Sequence, residues 1–163
     1  MRYQADIKQV TANDVLDLIQ NIREADAKEL MLAGEKSVRS AVERSVAKSV
    51  VCLAARDRAT QELLCICGVV PVTIDSDTAC MWELSTQSAQ CNRRTFLRNS
   101  KKVLDMLMEA TPTIKTYFNA IPSEYTGYIQ WAKRYLGAKF DKNEAISPTG
   151  HRFRTWTITK GAC

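Results

Sequence analysis

The chain has 163 residues, enough to bury the core of one domain and too few for two of ordinary size, so we expect a single domain over residues 1–163. Apolar residues make up 45% of the chain and charged residues 25%, values that are typical of globular proteins and exclude a largely disordered chain. The net charge of +5 allows an anionic ligand, but no concentrated basic stripe indicates nucleic-acid binding, and no apolar run approaches the ~20 residues of a membrane-spanning helix.

The six cysteines are predicted to be free thiols rather than a disulfide framework. Four of them lie within apolar, strand-like runs, and the sequence shows no signal-peptide pattern that would indicate an oxidising compartment. His151 is the only histidine, and no second pair of cysteines accompanies Cys65 and Cys67 at the spacing of metal ligands. We therefore expect no metal site. The cysteines are Cys52, Cys65, Cys67, Cys80, Cys91 and Cys163.

The first half of the chain has the patterns of a strand and two or three helices, followed by three strands. Residues 2–10 alternate weakly and predict the first strand. Thr11 and Asp14 form a capping-box pattern ahead of a helix, and Asp26 with Glu29 repeats that pattern ahead of a second helix. The elements predicted to follow are a helix over Ser37–Ser49 and strands over Val50–Ala55, Glu62–Thr73 and Cys80–Ser85.

A polar segment, Thr86–Cys91, leads into a strongly basic helix predicted over Asn92–Ala110, which Pro112 ends. Arg93 and Arg94 stand at its start, where the positive end of the helix dipole disfavours a cation by about 0.3–1 kcal/mol. Two interpretations follow. The arginines face a bound anion, or they form a solvated polar face, as most arginines do.

The last third of the chain has the pattern of a strand, a helix, a glycine and a returning strand. Thr113–Asn119 alternates and predicts a strand. Ser123 can cap the helix that follows, and Gly137 is placed to end it. A hairpin closes the chain, with strands predicted over Phe140–Ile146 and Arg152–Lys160.

The order of these elements indicates an α+β domain, with a mixed sheet of about seven strands flanked by helices on both faces. The stretch Tyr135–Phe140, with the sequence YLGAKF, ends a helix and leads straight into a strand. In this it resembles the C-terminal half of GNAT-fold N-acetyltransferases, and the element order matches that fold over essentially the whole chain. The resemblance implies a GNAT-like domain, with acetyl-CoA as the cofactor if the protein is an active enzyme.

The resemblance also implies that the cofactor's pyrophosphate lies on backbone amides between the fourth strand and the next helix. The family's loop there is rich in glycine, whereas residues 86–94 contain none, so we expect acetyl-CoA to bind weakly or not at all and to leave the Tm unchanged. If it does bind, the residues that the resemblance assigns to it are Leu84, Ser85, Gln87, Ala89, Asn92, Arg93, Arg94 and Asn119.

Glu83 is the carboxylate of the fourth strand, where many GNAT enzymes hold a general base. In an otherwise apolar strand its pKa can be raised, which suits a base; alternatively, it faces solvent or pairs with an arginine. In the GNAT family the general acid is typically a tyrosine, and an asparagine lies seven residues before it. This chain has Lys133 and Thr126 at those two positions. Tyr135 and Tyr128 lie nearby at a different helical angle, and Tyr135 is the predicted acid.

The Trp82–Thr86 strand, the glycine-free basic segment after it and the Thr157–Gly161 ending occur in this order in the last half of the chain. This pattern resembles the GNAT-like internal virion proteins of T7-type podophages. The resemblance implies a catalytically degenerate protein of the virion and its ejection apparatus, in the virion or the host bacterial cytoplasm, with other phage virion proteins or a host protein as partners. The alternative is an acetyl-CoA-dependent N-acetyltransferase acting on a host protein or a small amine.

Overall fold

The computed structural model describes residues 4–161, which contain seven strands in one sheet. The strands are β1 (Ala5–Gln9), β2 (Val51–Asp57), β3 (Leu63–Pro71), β4 (Thr78–Ser85), β5 (Thr116–Pro122), β6 (Lys139–Ile146) and β7 (Arg152–Thr159). Their order across the sheet is β1-β2-β3-β4-β5-β7-β6, and every neighbouring pair is antiparallel except β4 and β5. The predicted α+β architecture with a mixed sheet is therefore confirmed.

Helices cover both faces of this sheet. They are α1 (Ala12–Asn21), α2 (Glu24–Leu32), α3 (Val38–Lys48), α4 (Gln87–Cys91), α5 (Arg93–Ala110) and α6 (Thr126–Trp131), the last extended by a π-helical turn at Ala132–Leu136. On one face α1 and α3 pack through Leu18 and Val42. On the other, α5 and α6 pack through Leu104 and Ile129. Because successive side chains of a strand point to opposite faces, the central strands β2, β3 and β4 supply both cores.

The parallel strands β4 and β5 run side by side only at their beginnings. Their ladder joins Thr78–Cys80 to Thr116–Phe118 and ends there, although β4 continues to Ser85. Past the ladder, Asn119 Nδ2 reaches across and donates a hydrogen bond to the Met81 carbonyl oxygen at 2.9 Å. The divergence of two parallel strands at their carboxyl ends opens a crevice, which is where open sheets usually bind ligands.

Of the three capping predictions, at Thr11, Asp26 and Ser123, one is confirmed and two are wrong. Thr11 and Asp14 form the predicted capping box, in which the Thr11 amide donates to the Asp14 carboxylate at 2.8 Å and the Asp14 amide donates to the Thr11 hydroxyl at 3.3 Å. The second capping prediction is wrong, because Arg23 is the N-cap of α2 and Asp26 is buried inside its first turn. Ser123 does not cap α6 either, because that helix begins further along the chain.

The polar segment after β4 forms the short helix α4 rather than a loop. Thr86, the first residue of the polar segment, still pairs with β3, because its amide donates to the Leu64 carbonyl at 2.9 Å. Inside α4 the amides of Ala89 and Asn92 donate to the carbonyls of Thr86 and Ser88, at 3.1 and 2.9 Å. Backbone donors that a phosphate-binding loop would expose are thus partly used within the chain.

The described cysteines are free thiols, of which three are buried, Cys80 is half-buried and Cys91 is exposed. Cys163 lies outside the described residues. Within residues 4–161, no cluster of three or more His, Cys, Asp or Glu side chains is arranged to hold a metal ion. None of the helices in that range is both long enough and apolar enough to cross a membrane.

Candidate active site

The end of β4 is paired with the start of α2, in the place that β5 leaves by diverging. The Ser85 amide donates to the Asp26 carboxylate at 2.8 Å, and the Arg23 amide donates to the Ser85 carbonyl at 2.8 Å. The Arg23 guanidinium binds the same carboxylate, with an Nη2–Oδ1 distance of 2.6 Å. Asp26, which is buried, therefore anchors α2 at the edge of the crevice.

Glu83 lies beside this junction, half-buried in the part of β4 that has separated from β5. The Ser85 hydroxyl donates a hydrogen bond to its carboxylate. Burial, together with the negative charge of Asp26, raises the pKa of Glu83 to about 7, against the opposing effects of the Ser85 hydrogen bond and the Arg23 charge. A carboxyl group with a pKa near 7 can both accept and release a proton at neutral pH.

Glu29 is a second carboxyl group with a raised pKa, and it lies one turn after Asp26 on α2. Burial is the main cause, and the charges of Asp26 and Glu83 add to it, so that the pKa of Glu29 is raised to about 8. These carboxyl groups repel one another when ionised, with Arg23 as the counter-charge that lowers the pKa of both glutamates. A bound cation at this place would relieve that repulsion.

Two clefts reach Glu83, and the first lies on the side of the sheet that α5 covers. It has a volume of about 470 Å³ and runs between α5 and α6. The exposed Arg93 side chain lies on its lining, and three aromatic rings form its wall. The centroids of Phe96 and Trp131 are 5.7 Å apart, and those of Tyr128 and Trp131 are 5.0 Å apart. The cleft therefore combines an apolar wall with one exposed cation.

The second cleft, of about 450 Å³, lies on the opposite face, between α2, α3 and the β6–β7 hairpin. Because side chains alternate along β4, Trp82 and Leu84 line this cleft, whereas Ser85 lines the first. Glu83 lines both clefts, since the gap between the diverging strands connects the two faces of the sheet. Glu29 also lines the second cleft. The two cavities thus meet at one carboxyl group.

Tyr128, rather than the predicted Tyr135, lies beside Glu83. Tyr128 lines the first cleft, and burial together with the charge of Glu83 raises its pKa well above the ordinary value. Tyr135 is 43% exposed on the π-helical turn, where the Arg134 guanidinium carbon lies 5.7 Å from its ring centroid. Tyr128 lies nine residues before Gly137, so counting four residues back from the helix end does not reach it. A catalytic role for Tyr135 stays a prediction, and its position does not support it.

The residues that the resemblance assigned to a cofactor are divided among the two clefts and the surface. The first cleft is lined by three of them, Ser85, Ala89 and Arg93. The second is lined by two, Leu84 and Asn119. Three others lie outside both linings: Gln87 and Arg94, which are exposed, and Asn92, whose Nδ2 donates to Glu62 Oε2 at 3.4 Å.

Sequence reasoning missed Arg23, Asp26 and Glu29, and it noted Tyr128 near the position of the acid but chose Tyr135. The two acidic residues matched a helix-start signature, which accounted for them without a long-range partner. Tyr128 matched the apolar face of its helix, which is the commoner role of a tyrosine at that spacing. Only their proximity to Glu83 in the folded chain marks them as part of a site.

No family model matches the chain, and no curated protein matches it in sequence. Solved structures match it in three dimensions. An acetyltransferase of the GNAT family from Bacillus anthracis does so with a TM-score of 0.69, over 98% of this chain and 96% of that one, at 9% identity. The chain has the GNAT fold.

Two other solved structures match this GNAT fold to a similar degree. A spermidine N-acetyltransferase from Vibrio cholerae, in complex with CoA and spermine, has a TM-score of 0.68 over 96% of both chains, at 9% identity. A GCN5-related N-acetyltransferase from Kribbella flavida has a TM-score of 0.68 over 95% of this chain and 97% of that one, at 13% identity. At these identities the likeness shows the fold alone.

In this GNAT fold the first cleft suits the uncharged arm and the thioester of an acyl-CoA better than its pyrophosphate. Its aromatic wall, which ends at Glu83, fits the uncharged arm and the thioester. The pyrophosphate would meet the Arg93 side chain, because the Ala89 and Asn92 amides already bond within α4. A single exposed arginine is a weaker anion site than a loop of converging amides. An acyl-CoA bound in this cleft would therefore be held mainly at its thioester arm and weakly at its nucleotide end.

Proposed function

We propose that the protein is an N-acyltransferase that moves an acyl group from a CoA thioester to an amine. The observation that carries the proposal is Glu83, a half-buried carboxyl group with a pKa of about 7 that is reached by a cleft from each face of the sheet. Transfer between two substrates needs a proton acceptor where their binding sites meet, since donor and nucleophile approach from different directions. The GNAT fold supports the proposal at the level of architecture.

The donor supplies a thioester carbonyl: the amine nitrogen bonds to its carbon, the C–S bond breaks, and the electron pair leaves with sulfur, giving an amide and a thiolate. The proton that the nitrogen loses passes to Glu83 and from there to the thiolate, which leaves as the thiol. The carboxylate of Glu83 accepts the proton that the amine nitrogen must lose. Because its pKa is about 7, Glu83 is mostly ionised at pH 8 and mostly protonated at pH 6. The reaction rate is therefore expected to rise with pH through about 7.

Tyr128 is the residue placed to assist the leaving sulfur. A thiol has a pKa of about 8.5, whereas the pKa of Tyr128 is raised well above 10.0. A full proton transfer from Tyr128 to sulfur would therefore be uphill. The Tyr128 hydroxyl instead donates a hydrogen bond to the developing thiolate, which a charged acceptor makes stronger than an ordinary hydrogen bond.

The second cleft is assigned to the amine. Its lining has three glutamates, Glu29, Glu35 and Glu83, and two cations, Arg44, which pairs with Glu35, and Lys48. The charge of Asp26 acts on Glu29 and Glu83. An ammonium group relieves the repulsion among these carboxylates, so the acceptor is an amine that is protonated in solution, either a small amine or a lysine side chain. The Vibrio cholerae structure, which holds spermine, supports a small amine as the first compound to test.

The test follows thiol release from acetyl-CoA with spermidine, with a lysine-containing peptide and with no acceptor, at several pH values between 6 and 9. We expect amine-dependent turnover that rises through about pH 7 in the wild-type chain. Glu83→Gln should slow turnover by about 10²-fold while leaving the affinity for acetyl-CoA unchanged, as expected for the loss of a general base. Glu43→Gln, an exposed change on α3, is the matched control. Equal turnover in Glu83→Gln and the wild type would exclude this role for Glu83.

A second candidate is the virion-associated, non-enzymatic protein implied by the phage resemblance, with virion or host proteins as partners. The observation that favours it is α4, which uses backbone amides that a phosphate-binding loop would leave open. Its test is the detection of the chain by mass spectrometry in purified phage particles. Detection there, together with no thiol release from acetyl-CoA, would favour this candidate over the enzyme.

A further inference from the structure

A small apolar cavity continues the first cleft inward, and acetyl transfer does not require it. It has a volume of about 60 Å³ and lies between the sheet and α5. It shares the side chains of Glu83, Phe96 and Tyr128 with the cleft, so it borders the place assigned to the reacting acyl group. The hydrophobic side chains on its walls include Met81, Val103, Leu104, Leu107, Leu136 and Trp156.

Two polar side chains of α5 that line this cavity bond to the backbone of their own helix. Asn99 Nδ2 donates to the Thr95 carbonyl at 2.7 Å, and Ser100 Oγ donates to the Phe96 carbonyl at 2.8 Å. Glu83 and Tyr128 lie where the cavity meets the cleft, and most of the remaining lining is hydrophobic. The inner part of the cavity therefore suits apolar atoms.

Resting on the N-acyltransferase function proposed above, we propose that this cavity takes the end of an acyl chain longer than acetyl. The donor is then a propionyl or butyryl thioester. An apolar cavity of about 150 Å³ in another protein binds benzene, which has six carbons. The space of about 60 Å³ is well under half of that volume, so it suits a short extension of the acyl chain beyond acetyl better than a chain of six carbons.

The first measurement compares acetyl-, propionyl-, butyryl- and hexanoyl-CoA, with affinity from equilibrium dialysis and turnover from thiol release. Each methylene that enters the cavity should tighten binding by about fourfold, which corresponds to about 0.8 kcal/mol. Butyryl-CoA is then expected to bind about 15-fold more tightly than acetyl-CoA, and hexanoyl-CoA to lose most of that gain. Equal or tighter binding of acetyl-CoA would overturn the proposal.

The second measurement fills the cavity. Val103→Leu adds a methylene group to its wall, so the ratio of butyryl-CoA affinity to acetyl-CoA affinity should fall from about 15 to about 4 or less. Val46→Leu, on α3 at the other face, is the matched control and should keep the ratio. Cys67→Val fills the same cavity from β3 if Val103→Leu does not fold. A ratio that neither variant changes rejects the cavity as the acyl site, whereas no binding of any acyl-CoA rejects the proposed function with it.

Discussion

Asp26 and Ser85 are 59 positions apart in the sequence and are joined by a hydrogen bond of 2.8 Å from the Ser85 amide to the buried Asp26 carboxylate. The bond gives a partner to a strand amide that no longer faces β5, so β4 can end at the crevice without an unsatisfied donor. The same carboxylate raises the pKa of Glu83 and of Glu29. One side chain thus controls both the shape and the electrostatics of the site.

Asp26→Asn is expected to separate these two roles, since the amide keeps a hydrogen-bond acceptor and loses the charge. The free energy of unfolding should fall by about 2–3 kcal/mol, because the half-buried Arg23 guanidinium loses its ion pair. The pKa of Glu83 should drop below its wild-type value of about 7, moving the midpoint of turnover to lower pH. Urea unfolding and a pH–rate profile measure both effects. Glu43→Gln breaks an exposed pair and should cost less than about 0.5 kcal/mol.

Glu29→Gln should make the protein more stable at alkaline pH. The pKa of Glu29 is raised from 4.5 to about 8 in the folded chain, so the folded state holds this proton more tightly than the unfolded state. The stability that this group contributes is complete below pH 4.5 and is lost as the pH rises through about 8.

Since Glu29 keeps some contact with solvent, we expect a gain for Glu29→Gln of about 1–2 kcal/mol at pH 8.5, or about 2–6 °C in Tm, and little change at pH 5. Melting curves at pH 5, 6.5 and 8.5 test this. Glu24→Gln, an exposed change on the same helix, is the control. A gain that is equal at all three pH values would show that titration of Glu29 is not its cause.

Arg93→Glu combined with Arg94→Glu should abolish anion binding at the start of α5. Both side chains are exposed, and Arg93 lines the first cleft, so the fold should remain while the affinity for inorganic pyrophosphate falls at least fivefold at low salt. Lys101→Glu combined with Lys102→Glu makes the same charge change further along the helix and should have a smaller effect. If the wild type itself binds no pyrophosphate at low salt, the basic helix start is only a solvated face.

Gly68→Ala should destabilise the sheet although it adds only one carbon. A Cβ atom at this position would lie 2.6 Å from Ser49 Oγ and 2.7 Å from Trp82 Nε1, two atoms that are joined by a hydrogen bond of 2.9 Å across the glycine. We expect a loss of about 1–3 kcal/mol in urea unfolding. Gly127→Ala, in α6 with no atom within 4 Å of the new Cβ, should be neutral or stabilising by up to about 1 kcal/mol. Equal effects of the two changes would mean that Trp82 can move aside.

Most of the fold could be predicted because its elements carry local signals. The capping box at Thr11 and Asp14 and the left-handed Gly137, with a φ of 69°, follow from neighbouring residues alone and are confirmed. The π-helical turn before Gly137 was missed, because its apolar spacing differs from an α-helix by a single residue. The short helix α4 was also missed, since five polar and small residues carry no periodicity.

The candidate site was predictable only where it lies on one element. Glu83 is recognisable as a carboxylate in an apolar strand, and its raised pKa agrees with that expectation. The hydrogen bond between Asp26 and Ser85 joins two segments that are distant in the sequence, and no local pattern in either segment predicts it. Tyr128 became a candidate only through its place beside Glu83, which depends on how α6 packs against α5.

The three tryptophans of the chain are distributed so that each cavity borders a different set of them. All three line the inner cavity, while Trp131 also lines the first cleft and Trp82 the second, and Trp156 lines neither cleft. Variants that keep a single indole would therefore respond to different combinations of donor, acceptor and acyl chain. Stopped-flow emission from each could time the arrival of each substrate and reveal whether the two bind in a compulsory order.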